Sequence, residues 1–164
     1  MSGIIGSQSK SGVIGTITSI IPPAGTLRNV YFGSTETESS DIGDTLTIAV
    51  SLDCATGRAA TDGSKFFIQG NVRVQTSANV GVAISLYRGS TLIWNGGTTV
   101  WDAGSNPNGA LLTAQFLDDA AGLSGTITYH VKIQRLTGSA ALVINYDDAT
   151  HDQKSSLLVM EYKR

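Results

Sequence analysis

The sequence is poor in charged residues and in long apolar runs. Only 15% of its 164 residues are charged, against about a quarter in an average protein, and the formal net charge is −2. No basic stripe is present that could neutralise phosphates, so the composition argues against nucleic-acid binding. No uninterrupted apolar run approaches the roughly 20 residues that a membrane-spanning helix needs. We therefore expect neither nucleic acid nor a membrane among the partners.

Cysteine and proline are also scarce. Cys54 is the single cysteine, so no disulfide within the chain can support the fold. It lies in the stretch SLDCATG, away from any histidine in the sequence, and we expect it to be a small buried hydrophobic residue. Two of the three prolines are adjacent, at Pro22 and Pro23. They exclude a central strand there, because proline lacks the N–H donor of the sheet ladder.

The motifs that carry common enzyme chemistry are absent. The sequence has no phosphate-binding Gly-x-x-x-x-Gly-Lys loop, no Gly-x-Ser-x-Gly elbow and no His-Glu-x-x-His zinc motif. Asp118 and Asp119 could act as an acid–base pair only if they shared a face, and adjacent residues of a strand point to opposite faces. We expect no catalytic residues, no bound cofactor and no enzymatic activity.

The two histidines and an acidic loop are the remaining candidates for chemistry. His130 lies on the polar face of an alternating segment, where we expect it to be solvated or paired with a neighbour. His151 lies beside Asp147, Asp148 and Asp152, and closely spaced carboxylates suit a hard cation such as calcium. The loop lacks the glycine-kinked register of a calcium loop. A solvated acidic loop is therefore the simpler interpretation, and we assign no metal site.

What the sequence has in abundance is period-two alternation. Four segments between residues 46 and 133 place apolar residues on one face and polar residues on the other, the pattern of strands half-buried in an antiparallel sheet. Turn residues separate them, including RGST at 88–91 and LTGSA at 136–140. The apolar residues of the four segments are Leu46, Ile48, Val50 and Leu52; Phe66, Ile68, Val72 and Val74; Val80, Val82, Ile84 and Leu86; and Ile127, Tyr129, Val131 and Ile133.

Two further segments indicate strands. The stretch GALLTAQFLDD alternates from residue 109 and indicates a strand that ends at Asp118, and the closing SSLLVMEY is apolar enough for a central strand with both faces covered. The total is about eight to ten strands with essentially no helix. We therefore predict an all-β fold, an antiparallel β-sandwich of jelly-roll type over residues 26–164, with an extended N-terminal arm over residues 1–25.

The arm contains a near-repeat, SGIIG at residues 2–6 and SGVIG at residues 11–15. Polar residues interrupt its apolar pairs, so it lacks the continuous apolar stretch of a secretory signal, and we expect it to be retained. Its glycines oppose order in isolation. Its apolar pairs, Ile4 with Ile5 and Val13 with Ile14, are too small to form a core. We predict that these four residues bind a partner and become ordered by inserting into it.

Aromatic and outward-facing apolar residues indicate contacts beyond the core. Trp94 and Trp101 flank the stretch NGGTTV, where they could stack on a glycan, although tryptophan also fills sandwich cores and subunit interfaces. Phe67 and Tyr87 lie on faces opposite to the core residues of their segments. In the last segment Leu157 and Val159 alternate with Leu158 and Met160. Contiguous exposed apolar patches mark association surfaces, so this pattern favours an oligomer.

Three stretches carry a resemblance to a known family: KFFIQGNVRVQTSANVGVAISLYRGSTLI, DDAAGLSGTITYHVKIQRLTGSAALVIN and the terminal SSLLVMEY. Residues 44–164 resemble the jelly-roll module of virion proteins from tailed, especially marine, bacteriophages. That module is similar to the complement-globular-head and tumour-necrosis-factor-like folds. The shared marks are the LYRGSTLI hairpin, the TITYHVKIQ strand and a closing strand that ends in Met-Glu. The repeated N-terminal SGIIG and SGVIG also resemble the start of small phage structural proteins.

The resemblance implies a homotrimer on the surface of a phage particle, made in the cytoplasm of the bacterial host. Two locations compete. A head decoration (cement) protein would bind the major capsid protein or another virion protein through its arm. A tail-fibre or tail-appendage module would recognise a glycan or protein on the host surface. A fibre normally needs a shaft, and this sequence contains only a Gly/Ser-rich arm and one sandwich, which favours decoration. No catalytic residue is implied by the family.

Overall fold

The computed structural model describes residues 24–55, 63–100, 108–120, 122–123, 125–146 and 154–164. Within these residues the chain forms nine strands and no helix. Over the same ranges there is accordingly no helix that could cross a membrane. The strands are β1 (Leu27–Thr35), β2 (Thr47–Ala55), β3 (Ser64–Thr76), β4 (Val80–Arg88), β5 (Thr91–Val100), β6 (Asn108–Asp118), β7 (Thr126–Thr137), β8 (Leu142–Ile144) and β9 (Ser155–Lys163).

The strands form two antiparallel sheets. The first sheet has the order β1-β9-β3-β6, with β8 also paired to β3, and the second sheet has the order β2-β7-β4-β5. Most connections cross from one sheet to the other, whereas β4 and β5 form a hairpin in which Gly89 has a φ of 56°. A five-stranded and a four-stranded antiparallel sheet that face each other in this order constitute a jelly roll. The predicted all-β, antiparallel sandwich of jelly-roll type is confirmed.

The long strand β3 organises the first sheet. On one side it pairs with β6 from Phe66 to Thr76. On the other side it pairs first with β9 and then, beyond Asn71, with β8. The segments β8 and β9 therefore lie one after the other along the same edge of β3. Asn145 ends β8 with a φ of 57°, and its Oδ1 accepts a hydrogen bond of 2.6 Å from Ser155 Oγ at the start of β9.

Side chains from the inner faces of both sheets form the core. The apolar series predicted for β3, β4 and β7 are all buried, and Leu112, Ala114, Leu157 and Val159 join them from β6 and β9. The rings of Phe66 and Tyr129 meet across the two sheets with centroids 5.6 Å apart. The predicted end of β6 at Asp118 and the central position of β9 are also confirmed. The outward side chains of β9 are only partly buried, so its second face is not fully covered.

The prediction for β2 needs a correction. Leu46, Ile48, Val50 and Leu52 were expected on one face, but the pairing register with β7 shifts between Ile48 and Val50. Ala49 is the additional residue of this β-bulge. Because of it, the residues that precede Ala49 point to the opposite face from the one that strict alternation predicts. Leu46 and Ile48 are consequently 37% and 51% exposed, whereas Val50 is 4% exposed. The bulge moves two apolar residues from the core to the outer surface of the second sheet.

Candidate functional site

An apolar face covers the outer surface of the first sheet. Its side chains alternate with core residues along each strand and point away from the second sheet. Three of them expose more than half of their surface: Val30 56%, Phe32 65% and Leu117 54%. The apolar face consists of Val30, Phe32, Phe67, Leu117, Leu158 and Met160.

Strand register brings these residues into contiguous rows. Met160 lies opposite Val30 on one side and Phe67 on the other. Phe67 in turn lies opposite Leu117, so this row crosses β1, β9, β3 and β6. Side chains directly opposite each other in an antiparallel pair have Cβ atoms about 5 Å apart, close enough for contact. The outward position predicted for Phe67 is confirmed. In β9 the sequence showed only that two apolar pairs alternate, and the structure turns Leu158 and Met160 outward. It also adds Val30, Phe32 and Leu117 to the same surface.

Polar residues border the apolar face. Phe32 and Leu158 lie opposite each other in a second row, which continues with Gln69 and Gln115. Thr113 Oγ1 donates a hydrogen bond of 2.9 Å to Asn71 Oδ1 in the row beyond. The third row consists of Ser34, Ser156, Asn71 and Thr113. The apolar face therefore has a defined polar boundary, as the rim of a protein–protein interface does.

The outer surface of the second sheet has a different chemistry. It carries an ammonium–aromatic contact in which Lys132 Nζ lies 4.1 Å from the ring centroid of Tyr87. Beside it, Thr128 Oγ1 donates a hydrogen bond of 2.7 Å to Asp53 Oδ1. Since the two sheets of a sandwich present their outer surfaces in opposite directions, this polar surface points away from the apolar face.

His130 lies on this polar surface, as predicted, between β2 and β4 in the sheet. The sequence predicted that the His130 ring is solvated or paired with a neighbour. In the structure its Nδ1 atom is instead buried and has no hydrogen-bond partner among the described residues. Partial burial lowers the pKa of His130, nearby Lys132 lowers it further, and Asp53 opposes the shift. The ring is therefore neutral over a wider range of pH than an ordinary histidine.

A groove runs along the middle of the polar surface of the second sheet, with a volume of about 390 Å³. We call it the outer groove. Its floor lies over β4, and its walls come from β5, from β7 and from the segment before β2. Its lining residues are Leu46, Ala83, Ser85, Tyr87, Leu92, Asn95, Gly96, Gly97, Gln134 and Leu136.

Trp94, one of the two aromatic residues considered for glycan binding, points to the inner side of β5. It is partly buried and packs against the core. It also lines a separate cavity of about 460 Å³ between the edge strands β5 and β6, together with Ala110 and Leu112. A Cβ added to Gly96 would lie 2.6 Å from the Trp94 ring, so the glycine permits the ring to lie against the backbone. The Trp94 side chain therefore packs against the core and also lines a cavity at the surface.

A buried ion pair links the two sheets at the end of β6. Arg88 Nη1 donates hydrogen bonds of 2.7 Å to both carboxylate oxygens of Asp118. Tyr129 Oη donates to Asp118 Oδ2 at 2.8 Å. Burial, followed by the charge of Asp118, raises the pKa of Tyr129, which stays protonated as a donor.

Asp119, by contrast, is exposed and pairs with Arg164. The two carboxylates have opposite environments and do not form an acid–base pair.

Glu161 is a second buried carboxylate, which the sequence reasoning missed. Its side chain is fully buried on the inner face of β9. It accepts hydrogen bonds from Ser64 Oγ at 2.5 Å and from Asn29 Nδ2 at 2.7 Å. The sequence contains a pattern that predicts this burial. Leu157, Val159 and Glu161 are spaced two residues apart, so they lie on the same face of the strand. This carboxylate has its partners within the sandwich.

Cys54 is buried, as predicted. Burial, together with the charges of Asp53 and Glu161, raises the pKa of its thiol to about 12. The reactive thiolate is therefore scarce at neutral pH.

Several predicted site residues lie outside the described residues. They are the arm residues Ile4, Ile5, Val13 and Ile14, the aromatic residue Trp101, and the acidic loop with Asp147, Asp148, His151 and Asp152. Their assignments stay predictions. Within the described ranges, no group of three or more His, Cys, Asp or Glu side chains is arranged to hold a metal ion.

No protein-family model matches the chain, and no curated protein matches it. Several solved structures match the chain, among them two that match most of it at low similarity. Dimeric latent PorU from Porphyromonas gingivalis is 12% identical with a TM-score of 0.45, over 86% of this chain. The chain spans 13% of the length of that structure. The CBM22-1 xylan-binding domain from Paenibacillus barcinonensis Xyn10C is 12% identical with a TM-score of 0.27, over 84% of this chain and 97% of the domain.

Proposed function

We propose that this chain is a non-enzymatic structural protein of a bacteriophage virion, a homotrimeric head decoration (cement) protein that binds and reinforces the capsid. The observation that supports the proposal most is the apolar face, which crosses four of the five strands of the first sheet. Three of its members expose more than half of their side chains. An uninterrupted apolar surface of this kind is typical of a surface that is covered in an assembly.

The physical basis of assembly is burial of this face against other copies. Covering a phenylalanine or leucine side chain completely contributes about 1.5–3 kcal/mol, so several such residues outweigh the entropy lost when subunits associate. The glutamines, serines and threonine on one border of the face contribute hydrogen-bonding groups without a charge that must be desolvated. On the other border the next outward residue of β3 is Lys65, which lies opposite Tyr162.

Attachment to the capsid is assigned to the N-terminal arm. The arm residues Ile4, Ile5, Val13 and Ile14 would insert into the major capsid protein or a neighbouring virion protein. Three arms on one trimer bind together, so the second and third contacts form at a high effective concentration. Weak individual contacts then give firm attachment.

The contacts of the buried carboxylates support a structural role. Asp118 neutralises Arg88, and Glu161 accepts hydrogen bonds from Ser64 and Asn29. Both carboxylates are occupied by groups of the fold, whereas a catalytic acid or base needs access to a substrate.

The alternative is a tail-appendage module that recognises a host surface glycan or protein. One observation favours it: the polar surface of the second sheet, with its outer groove, points away from the apolar face. A trimer that buries the apolar face would display this surface outward, towards a host cell. Decoration and host recognition differ in location on the particle rather than in fold.

Electron cryomicroscopy of purified virions tests the location directly. The proposal predicts trimeric density at regular positions on the head, into which the sandwich fits with its apolar face turned inward. Density confined to the tail would contradict the decoration role and support the alternative.

Deletion of residues 1–20 tests the role of the arm. The shortened protein should fold and trimerise, because the strands of the sandwich supply the core and the apolar face. Its occupancy on virions that lack the full-length protein should fall markedly, as measured by co-sedimentation. Unchanged occupancy would show that the sandwich alone binds the capsid, and failure to fold would place the arm in the core.

A further inference from the structure

The outer groove has buried residues at its floor even though it lies on an outer surface. Ala83 and Ser85 alternate with the core residues Val82, Ile84 and Leu86, so they point outward from β4. Nevertheless they expose only 7% and 5% of their surface. The walls that flank β4 therefore enclose them, and the surface is concave there rather than flat.

The walls follow from two irregularities of the second sheet. The bulge in β2 turns Leu46 outward, where it lines one side of the groove. On the other side, Gly97 lies opposite the outward-facing Ala83 and brings no side chain, so β5 leaves space beside β4. Leu92 and Leu136 complete the rim and are 49% and 58% exposed. Small residues at the floor and large ones at the rim produce the groove.

The polar groups in the groove are already oriented. Ser85 Oγ donates a hydrogen bond of 3.0 Å to Asn95 Oδ1, which leaves the Asn95 Nδ2 group as a donor beside it. Gln134 Nε2 donates to the carbonyl oxygen of Asp44 at 2.8 Å, which leaves its Oε1 as an acceptor. A bound ligand would meet a fixed donor and a fixed acceptor, so less side-chain entropy is lost on binding.

The chemistry of the lining restricts the class of ligand. None of the described residues that line the groove is charged, so a cationic ligand would lose its hydration without gaining a counter-charge. The cation beside the groove is the Lys132 ammonium, which is already engaged with the Tyr87 ring at 4.1 Å from its centroid. A wholly apolar ligand would bury the polar groups of Ser85, Asn95 and Gln134 without new partners. The ligand that fits is neutral and carries both hydroxyl groups and C–H surface, for contact with the Tyr87 ring and the leucine rim.

The position of the groove on a sheet face argues against a peptide. Extended peptides bind by adding a strand to a free sheet edge, where main-chain donors and acceptors are available. Here the main-chain groups of β4 are committed to β5 on one side and to β7 on the other. Recognition must come from side-chain amides, hydroxyls and apolar walls, which suits a sugar ring. The volume of about 390 Å³ lies within the range of small-molecule sites.

We propose that the outer groove is a binding site for a neutral saccharide. The site goes beyond the proposed function, since it does not depend on whether the protein decorates the head or the tail. Burial of the apolar face leaves the groove accessible, and three grooves on one trimer would bind a multivalent glycan with avidity. Asn95 and Gln134 contact sugar hydroxyls, and Tyr87 packs against the ring.

Titration calorimetry with the full-length protein tests the site. The probes are neutral hexoses and disaccharides of the gluco, galacto and manno series. At least one of these neutral sugars should bind. Asn95→Ala should weaken binding about tenfold by removing one hydrogen-bond donor. Ala83→Leu should abolish binding, because its added side chain points outward into the groove. Ser51→Ala, exposed on the same sheet surface outside the groove, is the matched control and should bind normally.

Three results would overturn the site. The first is the absence of binding by every neutral sugar at millimolar concentrations. The second is binding that persists in both Asn95→Ala and Ala83→Leu. The third is binding that is lost only in Trp94→Phe, which would place the sugar in the cavity between β5 and β6. Light scattering on the same samples reports the trimer separately, so failure of the sugar site and failure of the proposed assembly are distinguishable.

Discussion

At the level of single residues, two adjacent aspartates show how the alternation of side chains along a strand determines whether an ion pair is buried or exposed. Asp118 ends β6 with its side chain 7% exposed and paired with Arg88, which is 26% exposed. Asp119 points to the other side, 46% exposed, and pairs with Arg164, which is 45% exposed. Both pairs join a carboxylate to an arginine, at 2.7 Å and 2.9 Å. Burial is the main difference between them.

This difference predicts unequal effects of the same substitution. Asp118→Asn should lower the free energy of unfolding by about 3 kcal/mol, because Arg88 loses its counter-charge in a mostly buried position. Asp119→Asn is the matched control and should lower it by less than about 1 kcal/mol, since water screens the exposed pair. Urea denaturation measures both. Equal losses would show that the ion pair at Asp118 does not hold the sheets together.

Residue burial was predictable where alternation was regular. Cys54 was correctly assigned to the interior, and the ends of β6 and β9 continue the buried series to Asp118 and Glu161. The identity of their partners was not predictable. Glu161 bonds to Asn29 and Ser64, and Asp118 bonds to Arg88, through contacts between strands far apart in sequence. A single sequence does not specify which strands are neighbours in space.

At the scale of elements, β3 and β7 show how closely the two sheets pack. Gly70 lies on the buried face of β3, opposite Val131 of β7. A Cβ at residue 70 would overlap Val131 Cγ2. The sheets therefore approach each other at this point because one strand contributes no side chain. The alternating pattern of β3 predicted a buried position here. It did not predict that this position requires glycine, because the side chain that leaves no room for a Cβ belongs to the facing sheet.

Gly70→Ala should therefore destabilise the protein by about 2 kcal/mol through overpacking. The substitution Val131→Ala removes the methyl groups in the way, so the double variant should be more stable than the sum of the two single losses predicts, by about 1 kcal/mol or more. Gly33→Ala is a suitable control. Its Cβ would meet the tip of Leu52 at 3.2 Å, and that side chain can move. Additive losses in the cycle, measured by thermal or urea unfolding, would contradict the close approach.

The elements also show what limits prediction from sequence. Strands with regular alternation were located correctly, including the hairpin between β4 and β5. The first strand was not recognised, because Arg28 and Asn29 interrupt its apolar residues. The structure shows that Asn29 faces Glu161 in the interior while Val30 and Phe32 face outward. In β2 the inserted Ala49 reversed a face that the periodicity alone had assigned to the core.

At the scale of the whole molecule, the sandwich has two outer surfaces of different character. One carries the apolar face, and the other carries the outer groove with neutral polar residues. Composition and alternation predicted the jelly-roll class and an exposed apolar surface on β3 and β9. They did not predict that β1 and β6 contribute to the same surface, because this depends on the order β1-β9-β3-β6 and its register. The strand order also separates the two surfaces.

The molar mass in solution shows whether the apolar face assembles the protein. Multi-angle light scattering should give three times the chain mass of 17.1 kDa for the wild-type protein. The double variant Phe32→Lys with Leu117→Lys should give a single chain mass, because two charges would be desolvated in the interface. The control Ser51→Lys, on the opposite surface, should remain a trimer. A wild-type protein that elutes at 17.1 kDa would show that the chain does not form a trimer, and a double variant that still forms trimers would show that the apolar face does not assemble it.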